Sequence, residues 1–326
     1  MFHVKQSDEY EVVIVGAGFA GYEAANASAK IGCKTALVTR NIDEIASIPC
    51  STTFGGSGRW QLVKEIDGLG GITGKAIESS YILKRKLNIR KGIALGNYLA
   101  IVDKEGFKES IYKDIIKQTN ITLKQGSVEK LNKRKNKIEI MLSSGEKVTG
   151  KTVVLCLGTF LNGEIAIGDK RIKGGRKGEL APDRIKTLLK DCKVKTGRFR
   201  TGTGPKIDIR TINAARLEKI KGEENNASFS FWIKKRVKEE GFYYRTKTNK
   251  DTEKVIEECL KRKLKVKDKK KGPRYCPSIE TKTIEYKGKA HTIFIQPENI
   301  TGIEWSLQGL ATSIEENMQQ KLVQSL

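Results

Sequence analysis

Histidine is nearly absent. His3 and His291 are the only two, and the six cysteines (Cys33, Cys50, Cys156, Cys192, Cys259 and Cys276) form no C-x-x-C pair. A zinc site built from His and Cys is therefore not expected. Nor is a disulfide framework, because cysteines this widely spaced in a long chain read as reduced cytosolic thiols. Long apolar runs are missing too. The longest, Val153 to Leu157, falls far short of the roughly 20 residues that span a bilayer. Residues 1–11, MFHVKQSDEYE, are polar and lack the apolar stretch of a secretory signal. Membrane and exported classes are thus not expected, and a soluble cytoplasmic protein is. Acidic residues are in short supply: 38 Asp and Glu face 62 Lys and Arg, for a net charge of +24. A field of that sign favours polyanions such as nucleic acid. An AT-rich genome that enriches Lys would leave the same excess.

At 38% hydrophobic residues the chain can build a real core, and 326 residues allow two domains or one with an insertion. Residues 11–15, EVVIV, read as a buried parallel strand. A glycine turn follows at Gly16–Gly21, then an Ala-rich helix over 22–31 and a second strand over Lys34–Thr39. Residues 50–74 read as a structured loop ending in a helix near Leu62–Leu69. Lys104–Gln118 reads as a helix with Phe107, Ile111 and Ile115 on one face. Strands are expected at Thr122–Lys124 and Val128–Leu131, a hairpin at Lys137–Leu142 and Glu146–Val148, and a separate buried strand at Val153–Leu157. Further on, a helix is expected at Thr252–Lys263, strands within 280–296, and a helix over Ala311–Leu326.

Gly16, Gly18 and Gly21 have the G-x-G-x-x-G spacing of a dinucleotide site. The first glycine allows the tight turn, the second lets a pyrophosphate approach the backbone, and the third lets helix and strand pack closely. The helix N-terminus then offers its unpaired N–H groups to the phosphates. Gly16, Ala17, Gly18, Phe19, Ala20 and Gly21 are the cofactor candidates here. An acidic residue that would bind the ribose is missing from the end of the second strand, which reads Val38-Thr39-Arg40-Asn41; Asp43 and Glu44 come late. Val153–Leu157, ending at Gly158 and Thr159, is of the kind that returns beside the nucleotide in two-dinucleotide-domain flavoproteins. Its distance from the first glycines suits FAD better than a simple NAD dehydrogenase.

Several segments then become specific. They are Gly55–Gly58 with Leu62–Gly71, Leu157–Gly163, Gly174-Gly175-Arg176, Arg200–Thr203, the run GPRYCPSIE at 272–280, and Phe294–Glu298. In this order they resemble the MnmG/GidA family of tRNA-modifying flavoproteins. The resemblance implies an α/β fold: a Rossmann-type FAD-binding domain of the two-dinucleotide-domain flavoprotein kind, with a mixed α/β insertion. The expected division is 1–194 for the first part of the FAD domain, 195–270 for the insertion and 271–326 for a truncated return to the FAD domain. It also implies 5-carboxymethylaminomethyl modification of the tRNA wobble uridine with an MnmE-like GTPase, NADH as reductant and methylene-tetrahydrofolate as one-carbon donor. A homodimer is expected. Cys276 and Cys50 match the family's functional thiols, since a thiolate adding at uracil C6 makes C5 nucleophilic. Val128, Gly272, Pro273, Arg274 and Tyr275 join the cofactor-binding candidates by the same resemblance. The tRNA is expected on Lys170–Lys177, Lys193–Arg200 and Lys261–Lys271, with the last of these equally readable as a solvated helix end.

The sequence also departs from the family. Ser51-Thr52 replaces Asn-Pro, Arg59-Trp60 replaces Lys-Gly, Thr203-Gly204-Pro205-Lys206 replaces T-P-P-R, and Lys247 stands where His is usual. Gly92–Asp103 lacks both arginines of a G-P-A-V-R-A-x-R pattern. Family members are longer, with a helical C-terminal domain, so a separate chain supplying that half is one expectation. A non-catalytic flavin- or RNA-binding paralogue, or a split-gene fragment, is the alternative reading. The GPRYCPSIE run argues against an unrelated flavin oxidoreductase.

Overall fold

The structure, a computed structural model, describes residues 8–88, 92, 96–175, 185, 189–190, 193–199, 201–223, 228–233, 241–261 and 277–326. Cys276, the candidates Gly272, Pro273, Arg274 and Tyr275, and the basic run beyond Lys261 lie outside the described residues.

The chain opens as expected, with β1 (Asp8–Val15), α1 (Phe19–Lys30) and β2 (Thr35–Thr39). β1 and β2 pair in parallel from Val12↔Thr35 to Val15↔Val38, and all five residues of β2 are buried, as a strand covered on both faces must be. The helix starts at Phe19, earlier than the Ala-rich stretch suggests, because the glycine turn feeds directly into it.

Residues 50–74 are more ordered than a loop. β3 (Thr53–Gly55) is followed by α2 (Arg59–Gly68) and α3 (Thr73–Ser80). Left-handed backbone at Gly55, Gly56 and Gly58 makes the tight entry into α2, and these same glycines hide the helix start from pattern reading. β4 (Tyr81–Leu87) and β5 (Asn97–Val102) complete a three-stranded sheet in the order β3-β5-β4. The helix α4 (Lys104–Ile116) is capped by Asp103, whose carboxylate accepts the Gly106 N–H at 2.6 Å. Its Phe107, Ile111 and Ile115 are all fully buried, as the spacing predicts.

The strands β6 (Ile121–Gln125), β7 (Val128–Arg134), β8 (Lys137–Leu142) and β9 (Lys147–Leu155) join β1 and β2 in a six-stranded sheet ordered β6-β2-β1-β9-β8-β7. β6, β2, β1 and β9 run parallel, while β8 and β7 are antiparallel additions. Two expectations are corrected here. The return arm of the hairpin and the apolar strand near Val153 form one nine-residue strand. Its second half is not buried, and Val154 is 36% exposed.

A hairpin of β10 (Glu164–Ile167) and β11 (Lys170–Lys173) leads away from this sheet. The rest of the chain builds an antiparallel sheet from β12 (Lys206–Asp208), β13 (Glu218–Lys221) and β14 (Phe242–Lys247), and, after α5 (Lys250–Lys261) and α6 (Ile279–Glu285), from β15 (Thr292–Pro297) and β16 (Glu304–Gln308). Its order is β12-β16-β15-β14-β13. Strands from both sides of residue 270 thus share one sheet, and the strands within 277–326 pair with those of 206–247, not with the parallel sheet. The first part of 280–296, where strands were expected, belongs to the helix α6: Ser278 caps it through Thr281 N–H, and Ile279 and Thr283 bury one face. The final helix, α7 (Glu316–Gln324), starts later than expected because Thr312 first bridges to Thr203.

The segment 228–233 is a strap laid across α2 and α3. Phe229 is fully buried and meets the Trp60 ring edge-on at 4.6 Å. Its N–H donates to Glu78 at 2.7 Å, and the Phe231 N–H donates to Asp67 at 2.7 Å. Glu78 in turn forms a buried ion pair with Lys84 at 3.2 Å.

Candidate functional site

The three glycines of the turn differ in what surrounds them. Gly16 has φ +100°, and its N–H donates to the Val38 carbonyl at 2.8 Å, so the turn is bonded to the end of β2. A side chain on Gly16 would collide with the Cys156 carbonyl oxygen, and one on Gly21 with the Gly16 carbonyl oxygen. Both positions are closed by backbone. Gly18 is the opposite case. A Cβ there has no neighbour within 4 Å, and its φ of −73° suits any residue. Gly18 is also the N-cap of α1, with no side-chain cap and no acid in the first turn. The first-turn amides of Phe19, Ala20 and Gly21 therefore lack a side-chain acceptor and carry the positive end of the helix dipole toward open space. Ala17 is buried, and its carbonyl accepts the Ala46 N–H at 3.0 Å, which fixes the turn from behind. This cradle fits a pyrophosphate.

β9 ends at the same place. The Cys156 N–H donates to the Val15 carbonyl at 2.8 Å, and Gly158 (φ +68°) and Thr159 follow, both exposed. They stand at the carboxyl ends of the parallel strands, where open α/β sheets bind ligands. Cys156 packs against the core behind the turn, and that burial raises its thiol pKa. Val128 is buried at the start of β7, two residues beyond Gly126, whose N–H donates to Thr39 O at 2.8 Å. It thus lies close to the end of β2. The ribose acid missing from the sequence has no spatial substitute on that strand. Asn41 is used to cap Asp43 N–H at 3.0 Å, and Asp43 itself is exposed.

From Phe19 a cleft of about 740 Å³ runs past Cys50, Arg59 and Arg85 to Gln296 and Gln308. Its walls are mostly apolar. The Cys50 loop is held in place by residues far along the chain: Thr52 Oγ1 donates to Pro297 O at 3.2 Å, and Thr53 Oγ1 to Gln296 Oε1 at 2.9 Å. Cys50 is exposed and lines the cleft. The Phe294–Glu298 segment is therefore a wall of the same site as the Cys50 loop. Its buried Glu298 pairs with Lys104 at 3.5 Å and Lys206 at 2.9 Å. Cys276, the second thiol expected there, is outside the described residues.

Two guanidinium groups in the cleft are not among the expected site residues. Counted from Gly92, the arginine pattern puts its two arginines at Gly96 and Leu99, and Leu99 lines the cleft as an apolar wall. Arg59 at the start of α2 and Arg85 on β4 bring guanidinium groups instead. Arg85 is fixed by Glu223, through Nε at 3.0 Å and Nη2 at 2.8 Å, and by the Tyr243 hydroxyl at 3.1 Å. The sequence signal for Arg85 is weak, because alternation along β4 is the same for a surface arginine.

Only parts of the expected basic patches fall among the described residues; Arg176, Lys177, Arg200 and residues 262–271 lie outside them. Lys170–Lys173 is a fully exposed strand, with Arg171 near Glu164 at 3.7 Å. Residues 193–199 are exposed, and Arg198 donates to Asn162 O at 2.8 Å. Among the described residues, no group of His, Cys, Asp and Glu could hold a metal ion, and no helix is long and apolar enough to cross a membrane.

Similar proteins place this geometry. The tRNA uridine 5-carboxymethylaminomethyl modification enzyme MnmG of Geobacillus thermodenitrificans is 38% identical over 321 residues, covering 97% of this chain and 51% of its own. The enzyme of the same name from Sulfurihydrogenibium sp. is 37% identical over 330 residues, covering 98% and 53%. The chain spans about half the length of the curated relatives it matches. The structure of Aquifex aeolicus GidA in its form I crystal superposes with a TM-score of 0.90 at 37% identity, covering 98% of this chain and 55% of that one. The fold is therefore that of the N-terminal half of GidA. The family described as glucose inhibited division protein A matches residues 11–326, and the chain belongs to it.

Proposed function

We propose that this chain is the FAD-binding half of a tRNA wobble-uridine modification enzyme, working with a GTPase partner in 5-carboxymethylaminomethyluridine synthesis. The observation that carries the reading is the contrast within the glycine turn. Gly16 and Gly21 are closed by backbone, while Gly18 faces open space at an uncapped helix N-terminus. Such a turn admits a pyrophosphate and nothing bulkier on Gly18. The amides of Phe19, Ala20 and Gly21 hold the phosphates, and Phe19 extends the site into the cleft. FAD, once bound, supplies hydride chemistry, with NADH as reductant and methylene-tetrahydrofolate as the carbon source. Cys50 presents a thiol to the cleft, and Arg59 is placed to meet anionic or carbonyl groups of substrate, while Arg85 is paired with Glu223 in the cleft wall. Cys276, two positions after Arg274 in the sequence, is the second thiol of this reading. The excess of basic residues serves tRNA through phosphate contacts.

The reading is tested first by colour. The purified chain is expected to carry flavin absorbance, and a colourless protein that takes up no added FAD would refute it. Cys50 is tested in the completed system, with the GTPase partner and the remaining half of the enzyme present. There, Cys50→Ser is expected to lower wobble-uridine modification at least tenfold by nucleoside mass spectrometry, with flavin content unchanged. A fully active Cys50→Ser would remove Cys50 from the chemistry.

A second reading, a non-catalytic flavin- or RNA-binding paralogue, is favoured by one observation: Leu99 lines the cleft where the arginine pattern has its second arginine. Flavin binding with no modification activity in the completed system is its expected signature.

A further inference from the structure

The antiparallel sheet turns a polar stripe toward the cleft. β15 and β16 pair as Phe294↔Gln308 and Gln296↔Ser306, so these four residues share one face of the sheet. Phe294, Gln296 and Gln308 line the cleft. The Tyr243 ring meets Phe294 edge-on, with centroids 5.9 Å apart, and steadies it.

Each glutamine has one end of its amide bonded to the protein and the other end left over. Gln296 is only 5% exposed, and its Oε1 accepts from Thr53 Oγ1 at 2.9 Å. Its Nε2 remains as a donor, with no acceptor among the described residues. Gln308 is the converse. Its Nε2 donates to Ser306 Oγ at 3.2 Å, and its Oε1 remains as an acceptor with no donor among the described residues. Neighbouring strands thus offer the cleft one N–H and one C=O. The complement of that pair is a ring N–H next to a ring carbonyl. Uracil has this edge in its N3–H and adjacent carbonyls. Cytosine presents an unprotonated N3 there, so its lone pair would face the Gln308 carbonyl. A polar group left unpaired in a buried wall costs binding, and the mismatch is penalised for that reason.

We infer that Gln296 and Gln308 are specificity-determining residues of the cleft, reading the N3–H and a neighbouring carbonyl of a pyrimidine-2,4-dione ring, with Phe294 beside them as an apolar surface for the ring. The choice of ligand rests on the proposed function, since uridine in RNA and the isoalloxazine of flavin both carry this edge. Unpaired bases in RNA are read in the same manner, by amides on the base edge and an aromatic ring on its face. Contact along this edge leaves the C5–C6 bond of uracil uncovered, and Cys50 lines the same cleft. The loop that carries Cys50 is bonded to Gln296 through Thr53, which ties the reading amide to the thiol's loop.

The test uses the whole chain and two RNA hairpins that differ in one unpaired loop base, uridine or cytidine. Fluorescence anisotropy is expected to show binding tighter by about fivefold or more for the uridine hairpin, the size of one bidentate base contact. Gln308→Leu, a change at a half-buried side chain, is expected to remove that difference by weakening the uridine hairpin alone. Gln296→Met is the second variant, with the same expected result, should Gln308→Leu fail to fold. The affinity of parent and variants for FAD is titrated in parallel by flavin fluorescence. No uridine preference in the parent, with affinity for FAD at least tenfold lower in the variants, would assign the ring to the flavin and leave the amide pair as its reader. Variants that change neither the uridine preference nor the affinity for FAD would overturn the inference. A chain that takes up no FAD refutes the proposed function, while the hairpin comparison still decides the subsite.

Discussion

Gly18→Val is expected to yield a folded protein that has lost its flavin. The substitution adds a branched side chain where the structure has nothing within 4 Å, on a backbone with φ −73° that valine tolerates. Its folding cost is that of a poorer N-cap, about 1 kcal/mol. Its effect on binding is large because the pyrophosphate must approach the amides of Phe19, Ala20 and Gly21 through the space the valine fills. Flavin content should fall by more than tenfold, read from visible absorbance against protein concentration, while the urea midpoint moves little. Gly21→Ala is the contrasting variant. Its methyl group would enter the Gly16 carbonyl, so it should lower stability by roughly 1–3 kcal/mol or more through forced backbone shifts. A Gly18→Val protein that stayed yellow would mean that this turn does not hold the cofactor.

The second large effect is structural. Lys84 and Glu78 form an ion pair at 3.2 Å, with side chains only 5% and 1% exposed. Glu78 also accepts the Phe229 N–H at 2.7 Å, and Lys84 lies 4.2 Å from the centre of the Tyr81 ring. Removing one member of such a pair strands a buried charge. Lys84→Ala is therefore expected to cost roughly 3–5 kcal/mol in urea unfolding. The double variant Glu78→Gln with Lys84→Met should recover much of that loss. It removes both charges, keeps an amide oxygen for the Phe229 N–H, and fills the space of the lysine stem. If Lys84→Ala stayed within about 1 kcal/mol of the parent, the pair would not be buried in solution as it is here. The effect should also reach the strap, with faster exchange of the Phe229 amide, because Glu78 anchors it.

Much of the parallel-sheet region is legible in the sequence. The apolar run of β1, the spacing of Gly16, Gly18 and Gly21, and the helical stripe of Phe107, Ile111 and Ile115 each lie within one element. Their meaning depends on dihedral angles and periods of a few residues. Pattern reading fails where two local signals compete. Glycines near Gly55–Gly58 read as loop although they form the entry to α2. Residues 280–296 alternate like strands, yet the Ser278 cap and the burial of Ile279 and Thr283 make the first of them helical. The gap between Val148 and Val153 reads as a break because Gly150 and Lys151 interrupt the apolar pattern. In the sheet, Gly150 instead pairs with Ile138 on one side and Tyr10 on the other.

Local pattern is sufficient for the kind of fold and for the glycine turn, because a tight turn is decided by the residues within it. The cleft is decided only by tertiary structure. Thr53 meets Gln296 across a separation of 243 positions, and Glu78 meets Phe229 across 151. Periodicity has no term for such meetings. They depend on which strands pair and in what register, and on closing long loops whose entropy cost only the assembled core repays. For the same reason the exposure of β9 beyond Gly150 cannot be read from its residues. Val153 to Leu155 have the composition of a fully buried strand, and whether a neighbour covers them is a property of the sheet.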